Sequence, residues 1–162
     1  MIIAGIDIGI SGALAFLDGM ELKAVHDMPV GKTAGGKSVV ISSQLRRIFD
    51  EVRPDMTYIE NVHAMPKQGV SSVFSFGRSL GNIEGALGVL GIPFTYVEPT
   101  VWKRRYGLIG SEKDAARTTA ARLFPIAPLA RKKDIGRADA ILIANWGRLY
   151  GSHGNELLPR RD

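Results

Sequence analysis

Three strand-like segments joined by tight turns occupy the start of the chain, and they constrain the fold more than any other feature. Residues 2–8 are nearly all apolar and β-branched, which is typical of a buried strand. A glycine-containing turn follows, and residues 13–17 return as a second strand. The Asp18-Gly19 pair is a strong hairpin signal, and residues 21–28 alternate well enough to form a third strand. The sequence therefore predicts a three-stranded antiparallel sheet at the N-terminus.

The rest of the chain alternates between short apolar strands and helices. Strands are predicted at residues 56–60 and 93–97, and a mobile basic loop is predicted at residues 31–37. A first helix is predicted to end at Val52, with Ser42 or Ser43 as its possible cap. Three more helices are predicted from Val70 to Leu90, from Pro99 through Tyr106 and from about Gly136 to Leu149. Between the last two, Ser111 and Asp114 form a capping pattern for a helix that ends at Phe124. We therefore expect a single α/β domain over residues 1–162. Its mixed five-stranded sheet should have three antiparallel and then two parallel strands, flanked by helices.

The amino-acid composition limits the kinds of reactive site and binding partner that the chain can have. The chain has no cysteine, which excludes disulfides, thiolate zinc sites and cysteine nucleophiles, and fits a reducing cytoplasm. No segment reads as a signal peptide, and no apolar run approaches the roughly 20 residues that span a bilayer, so we expect a cytoplasmic protein without membrane association. Residues 1–98 carry 8 Lys/Arg and 10 Asp/Glu, whereas residues 99–162 carry 13 and 6. This asymmetry favours a polyanion-binding surface beside a carboxylate site.

Three acidic residues occur in apolar surroundings, where an unpaired charge is costly. Asp7 lies in the first strand, Glu60 ends the strand at 56–60, and Asp139 lies between two alanines near the start of the last helix. Each alone could be structural, as a turn-former, a strand-end residue or a helix N-terminal acid. Convergence on metal ions explains all three together. Two Mg²⁺ ions about 4 Å apart, held by three or four carboxylates, can activate water and stabilise the leaving oxygen in phosphodiester cleavage. Mn²⁺ could substitute, and no organic cofactor is needed.

Four segments carry a resemblance to a known family. GIDIGISG at residues 5–12, YIENV at 58–62, PTVWK at 99–103 and KKDIGRADAILIA at 132–144 resemble the RuvC family, particularly its phage and prophage-type members. The resemblance covers nearly the whole chain. The first segment is shared with actin-like kinases and other ribonuclease H-like proteins, whereas the last segment is much more specific.

The resemblance implies a ribonuclease H-like fold, a homodimer and paired nicks across a four-way (Holliday) junction, an activity of DNA recombination and repair. It implies catalytic and metal-binding roles for Asp7, Glu60 and Asp139. The family usually has a fourth acid or a histidine three or four residues before the position of Asp139, where this sequence has Ile135 and Gly136. Asp134, one place further back, is the nearest candidate for the fourth ligand.

Several residues are candidates for contacting DNA. In the resembling resolvases the loop matching residues 61–69 reaches into the junction centre, so His63 and Met65 are candidates for probing bases there. A plain surface loop is the alternative. Lys103 and Lys113 resemble basic positions near the family's active site. The other candidate phosphate contacts are Lys67, Arg104, Arg105, Arg117, Lys132, Lys133 and Arg137.

Two further features have both a structural and a functional interpretation. Gly77, Gly81 and Gly85 share one face of the long helix, which predicts a close approach either to the sheet or to a second subunit. Trp102 and Trp146 are expected in the core rather than as platforms for stacked bases.

Three other functions stay open at this point. An RNA-processing nuclease of the YqgF type shares the fold and the first acid. A catalytically impaired protein that binds branched DNA is kept open by the missing fourth acid. An actin-like kinase or ATPase is disfavoured, because the chain is too short for two such domains and has no second phosphate-binding loop.

Overall fold

A five-stranded mixed sheet forms the centre of the protein, for which a computed structural model describes residues 1–63 and 67–151. Its strands are β1 (Ile2–Asp7), β2 (Ala13–Asp18), β3 (Glu21–Asp27), β6 (Met56–Glu60) and β7 (Phe94–Val97), in the order β3-β2-β1-β6-β7. The first three pair antiparallel, and β1, β6 and β7 pair parallel. The predicted fold class and strand arrangement are confirmed.

A small hairpin contains the segment that was predicted as a mobile loop over residues 31–37. Strands β4 (Val30–Lys32) and β5 (Ser38–Val40) pair antiparallel, with Val30 opposite Val40. The Lys32 ammonium donates to the Ser38 hydroxyl at 2.8 Å, and the Thr33 amide donates to the Lys37 carbonyl at 2.9 Å. The loop prediction was wrong at residues 31 and 32, which belong to β4, because a strand of three residues is too short to show a period-two pattern.

Five helices flank the sheet within the described ranges. They are α1 (Ser42–Val52), α2 (Val70–Leu90), α3 (Pro99–Arg105), α4 (Ala115–Leu123) and α5 (Ile135–Tyr150). Neither Ser42 nor Ser43 caps α1 through its side chain, since the N-cap position is Ile41. Likewise α4 begins after Asp114, whose carboxylate binds Arg117 instead of capping the helix. In both cases packing against the core, rather than a cap, stabilises the helix. Nowhere in the described ranges is there a helix with the length and apolarity that a bilayer crossing requires.

Two apolar layers lie on opposite faces of the sheet. Ile3 of β1 belongs to the core cluster that contains residues of α4 and α5, whereas Ala4 and Ile6 belong to the cluster that contains residues of α1 and α2. Successive side chains of a strand point to opposite faces, so odd-numbered β1 residues face α5. This alternation decides where the carboxylate at the end of β1 points.

Helix α5 lies directly against β1 because Gly5 has no side chain. A Cβ at Gly5 would lie 2.3 Å from the Ala140 carbonyl oxygen and 2.3 Å from the Ala144 amide nitrogen. Such distances are far inside van der Waals contact, so a larger residue would force the helix away from the sheet. The close approach fixes the start of α5 over the carboxyl end of β1.

Candidate active site

Asp7 and Glu60 lie at the same edge of the sheet and on the same face. The parallel register pairs Ile6 of β1 with Ile59 of β6, so the residue after each ends its strand at the same level. Tyr58, two residues before Glu60, belongs to the core cluster that contains α5 residues. Because side chains alternate between faces, both carboxylates point to the α5 side of the sheet.

Asp139 reaches this edge from the first turns of α5. One turn earlier, Gly136 is packed so closely that a Cβ there would lie 2.4 Å from the Ser11 carbonyl oxygen and 3.1 Å from Asp7 Oδ2. The start of α5 therefore lies over Asp7, and Asp139 follows three residues later along the helix. The three acids therefore lie at the same edge of the sheet, within electrostatic reach of one another.

The three carboxylates interact electrostatically with one another and with Lys103. Burial raises the pKa of Asp7 well above its usual value, and the charges of Asp139 and Glu60 add to the rise. Burial also raises the pKa of Asp139 to about 6, with Glu60 contributing. The pKa of Glu60 is raised by burial. The Lys103 ammonium opposes the rise at all three acids, so it lies within electrostatic reach of the whole cluster.

Trp102 holds Glu60 in place from inside the core. Its indole N–H donates to Glu60 Oε1 at 3.1 Å, and the ring is fully buried, as predicted for a core residue. The Lys103 ammonium lies 5.1 Å from the centre of the same ring. Sequence reasoning missed the hydrogen bond. The available signal was that a buried indole N–H needs an acceptor, and Glu60 is the buried carboxylate at the end of a neighbouring strand.

The donors in this cluster fit a hard divalent cation. Asp139 Oδ1 is buried and has no hydrogen-bond partner among the described residues, which leaves an oxygen available as a ligand. In the described ranges, no three His, Asp or Glu side chains are close enough together to bind one ion between them. Mg²⁺ does not require this, because it is usually held by one or two carboxylates and keeps several waters.

The structure does not bring Asp134 into the cluster. Its carboxylate is buried, and Oδ1 accepts from Arg131 Nε and Nη2 at 2.9 and 2.6 Å while Oδ2 accepts from the Arg131 amide at 2.8 Å. These bonds hold the pKa of Asp134 below its usual value, with Arg137 contributing a smaller charge effect. Both carboxylate oxygens are engaged, so the contacts give no support to the fourth-ligand role predicted for Asp134.

Two arginines that were candidate phosphate contacts are instead paired with carboxylates. Arg137 Nε and Nη2 donate to the two oxygens of Asp27 at 2.5 and 2.7 Å, which ties α5 to the end of β3. Arg117 Nε and Nη2 donate to Asp114 at 2.6 and 2.7 Å. The sequence could not show the pair of Arg137, because Asp27 is 110 residues away. The pair of Arg117 had a local signal, since Asp114 lies only three residues before it.

Several other basic candidates do lie beside the cluster. Lys103 and Lys113 line a cleft together with Asp139, and Lys133 lines an adjoining cleft with Asp7. Arg105 stacks over Tyr150, with its guanidinium carbon 4.5 Å from the ring centre. The remaining candidates Arg104, Lys132 and Lys67 are exposed, and Lys67 has a positive φ of 69°.

The loop after Glu60 is anchored at its start by the end of β7. Asn61 Nδ2 donates to the Glu98 carboxylate, and His63 Nε2 lies 3.4 Å from the same Glu98 oxygen. His63 is exposed, as a residue that probes DNA must be. Met65, the other candidate for this role, lies outside the described residues.

The glycine face of α2 is open. A Cβ added at Gly77, Gly81 or Gly85 would meet no atom within 4 Å among the described residues, so these glycines do not pack against the sheet. The prediction that this face packs closely against the sheet is therefore wrong. Phe74 on the same helix exposes 73% of its surface. The face is therefore smooth, partly apolar and uncovered in the single chain.

Comparison with known proteins identifies a resolvase relative. The chloroplastic Holliday junction resolvase MOC1 of Chlamydomonas reinhardtii is 37% identical in an alignment of 119 residues that covers 68% of this chain. This chain spans only 14% of the length of that relative. No protein-family model matches the chain. The cytoplasmic location expected from composition stays a prediction, since the relative is described as chloroplastic.

Solved structures share the whole architecture. Thermus thermophilus RuvC in complex with a Holliday junction substrate has a TM-score of 0.67 and 16% identity, covering 93% of this chain and 97% of that one. The yeast mitochondrial Holliday junction resolvase Ydc2 has a TM-score of 0.52 and 15% identity, covering 88% of this chain and 76% of that one. The fold of this chain is therefore the ribonuclease H-like fold of RuvC.

Proposed function

We propose that this chain, a homologue of a Holliday junction resolvase with the fold of RuvC, is an endonuclease that resolves four-way junctions in DNA by paired nicks. The main support for this proposal is the cluster of Asp7, Glu60 and Asp139. The three carboxylates come from two strands and a helix and lie beside Lys103. Together with burial, the charges of Asp139 and Glu60 raise the pKa of Asp7, and the charge of Glu60 also raises the pKa of Asp139. Such crowding of negative charge in a folded protein costs stability, and a cation-dependent site explains why it is retained.

Each residue has a role in the proposed mechanism. Asp7, Glu60 and Asp139 would hold divalent cations, with Mg²⁺ preferred for its hard oxygen ligands and Mn²⁺ able to substitute. When bound, such ions activate water and stabilise the leaving oxygen of the phosphodiester. Trp102 orients Glu60, and the Lys103 ammonium lies where it can neutralise a phosphate oxygen of the strand being cut. Asp134 is left out of this ligand set because its oxygens bind Arg131.

The open face of α2 is the proposed homodimer interface. Exposed Gly81, Gly85 and Val89 lie on the second half of a helix whose apolar surface is uncovered in the single chain. Glycines allow two helices to approach closely, and a twofold axis would present one carboxylate cluster to each of two strands. This arrangement accounts for paired nicks and for selection of a junction over a linear duplex.

Incubation of the protein with a synthetic four-way junction, a linear duplex of the same sequence and a structured RNA, each with and without Mg²⁺, tests the function. We expect Mg²⁺-dependent nicks of the junction alone. Preferential RNA cleavage would favour the YqgF-type alternative. Specific junction binding without cleavage in either Mg²⁺ or Mn²⁺ would favour the non-catalytic alternative, which the glycine at position 136 keeps in consideration.

A further inference from the structure

A second basic cleft shares no lining residue with the cleft that contains Lys103. It is formed where the β4–β5 hairpin faces the first turns of α2. Its cationic side chains are Lys37 from the hairpin and Arg78 from the helix, both exposed and without an ion-pair partner among the described residues. Ser71 and Ser75 line the cleft between them. The proposed catalytic mechanism uses none of these residues.

The lining of this cleft suits a phosphate-bearing chain. No Asp or Glu contributes to its described lining. The hydroxyls of Ser71, Ser72 and Ser75 donate to no acceptor within the described part of the chain, so their donors are free for a ligand. Hydroxyls and cations with no carboxylate among them bind phosphate oxygens without reading base identity.

This cleft is continuous with the carboxylate cluster. Gly9 and Ile10 line both the hairpin cleft and the cleft that contains Asp7. Ile135 then lines both the Asp7 cleft and the cleft that contains Lys103, Lys113 and Asp139. These adjoining clefts form a groove from Arg78 to Lys113, with Asp7 in the middle cleft and Asp139 in the last one.

We propose that this groove holds one DNA strand, and that the hairpin cleft binds the backbone phosphates on one side of the bond to be cleaved. Lys103 and Lys113 bind those on the other side. The proposal rests on the proposed nuclease function and deepens it. It adds Lys37, Arg78 and the two serines to the substrate-binding surface, although residues 1–98 as a whole carry more acidic than basic side chains.

The first test measures how salt affects junction binding in the absence of divalent cations. For the double variant Lys37→Ala and Arg78→Ala, we expect the slope of log Kd against log salt to fall by about two, since each lost phosphate contact removes about one released counterion. The control is Lys23→Ala with Arg47→Ala, which removes the same charges from β3 and α1. We expect the control to keep the wild-type slope. Equal loss in both would overturn the proposal, because net charge alone would then explain it.

A neutral variant keeps the proposal testable if the double variant folds poorly. For Ser71→Ala with Ser75→Ala, we expect weaker binding, by roughly five- to a hundredfold for two lost hydrogen bonds, with an unchanged salt slope. Suppose that this variant and the Lys37 and Arg78 variant both keep the wild-type affinity, while Lys113→Ala loses affinity. That result would overturn the groove but leave the proposed nuclease function intact. A wild-type protein that binds no junction would overturn the function itself.

The position of the cleft is tested with junctions that carry one neutral methylphosphonate at a time. Wild-type binding should weaken when a phosphate on either side of the cleaved bond is neutralised. The Lys37 and Arg78 variant should be insensitive on one side, and Lys113→Ala on the other. Loss of sensitivity at the same positions in both variants would overturn the assignment of the two ends.

Discussion

The indole N–H of Trp102 and the carboxylate of Glu60 form a buried hydrogen bond of 3.1 Å. This bond favours the ionised acid and lowers the pKa of Glu60 against the larger effect of burial. For Trp102→Phe we therefore expect the acid limb of the pH–rate profile for junction cleavage to move to higher pH. Trp146→Phe is the matched control, because the Trp146 indole nitrogen is buried without a partner in the described ranges. A shift of equal size in both variants would contradict the role of Trp102.

Neutralising Asp7 or Glu60 should separate binding from cleavage. We expect Asp7→Asn and Glu60→Gln to lower the cleavage rate at least a hundredfold, a typical loss when one transition-state interaction is removed. Junction affinity should stay the same or increase, since one less negative charge faces the phosphates. Gel-shift binding and single-turnover cleavage on the same junction measure the two effects. Near-normal cleavage by either variant would remove that residue from the site.

The carboxylate cluster should destabilise the protein when no cation is bound. Because the pKa of folded Asp139 is raised to about 6 from 3.8, its contribution to stability is full below pH 3.8 and is lost as pH rises through about 6. At pH 7 in EDTA we expect Asp139→Asn to raise the unfolding free energy by on the order of 2 kcal/mol. Urea unfolding at pH 4 and pH 7 measures this. Mg²⁺ should stabilise the wild type more than the variant, and equal stability at pH 7 in EDTA would be inconsistent with the predicted repulsion.

Asp134 should matter for stability rather than for cleavage. Its pKa is lowered by Arg131, so its stabilising contribution is present above pH 3.8 and is lost as pH falls through the folded pKa. We expect Asp134→Asn to lower the unfolding free energy by about 2 kcal/mol at pH 7, as for a hydrogen-bonded charge. Asp50→Asn, which breaks exposed pairs with Arg46 and Arg53, should cost less than about 1 kcal/mol. Loss of cleavage in folded Asp134→Asn would restore this residue as a candidate ligand.

The exposed glycine face of α2 predicts the oligomeric state. Gly81→Arg adds a side chain where the single chain has open space, so the fold should be retained. If two copies pair through this face, the variant should be monomeric in sedimentation equilibrium and should lose the paired nicks. Thr118→Arg adds the same group to an exposed position of α4 and should stay dimeric. A dimeric Gly81→Arg would place the interface elsewhere.

Much of the fold was predictable because its strands and long helices have strong local patterns. The bounds of α2 followed from its apolar run and from Gly91, which ends it in the left-handed conformation with φ 65°. The convergence of Asp7, Glu60 and Asp139 followed from the burial of charges in apolar segments. In each case the signal lies within a few residues of the feature that it predicts.

The features that escaped prediction depend on contacts that no local pattern specifies, whether between near neighbours or between residues far apart in the chain. The residues near Asp134 do not show whether it is a metal ligand or a partner of Arg131, because both roles need a carboxylate just before a helix. The hydrogen bond from Trp102 to Glu60 spans 42 residues, and the pair of Arg137 with Asp27 spans 110. Such partners are chosen by tertiary packing, which a periodicity does not encode.

The tight contact at Gly136 also limits the variants that this chain can tolerate. Position 136 is one of the two where the family usually has a further acid or a histidine, yet any side chain there would meet the Ser11 carbonyl at 2.4 Å. Acquiring a carboxylate at this position would require the backbone of residues 11–12 or the start of the helix to shift at the same time. A single substitution at position 136 therefore cannot convert the three-acid site of this backbone into a four-acid site. A ligand set with an acid at position 136 therefore requires a different position of the last helix from the one that this chain has.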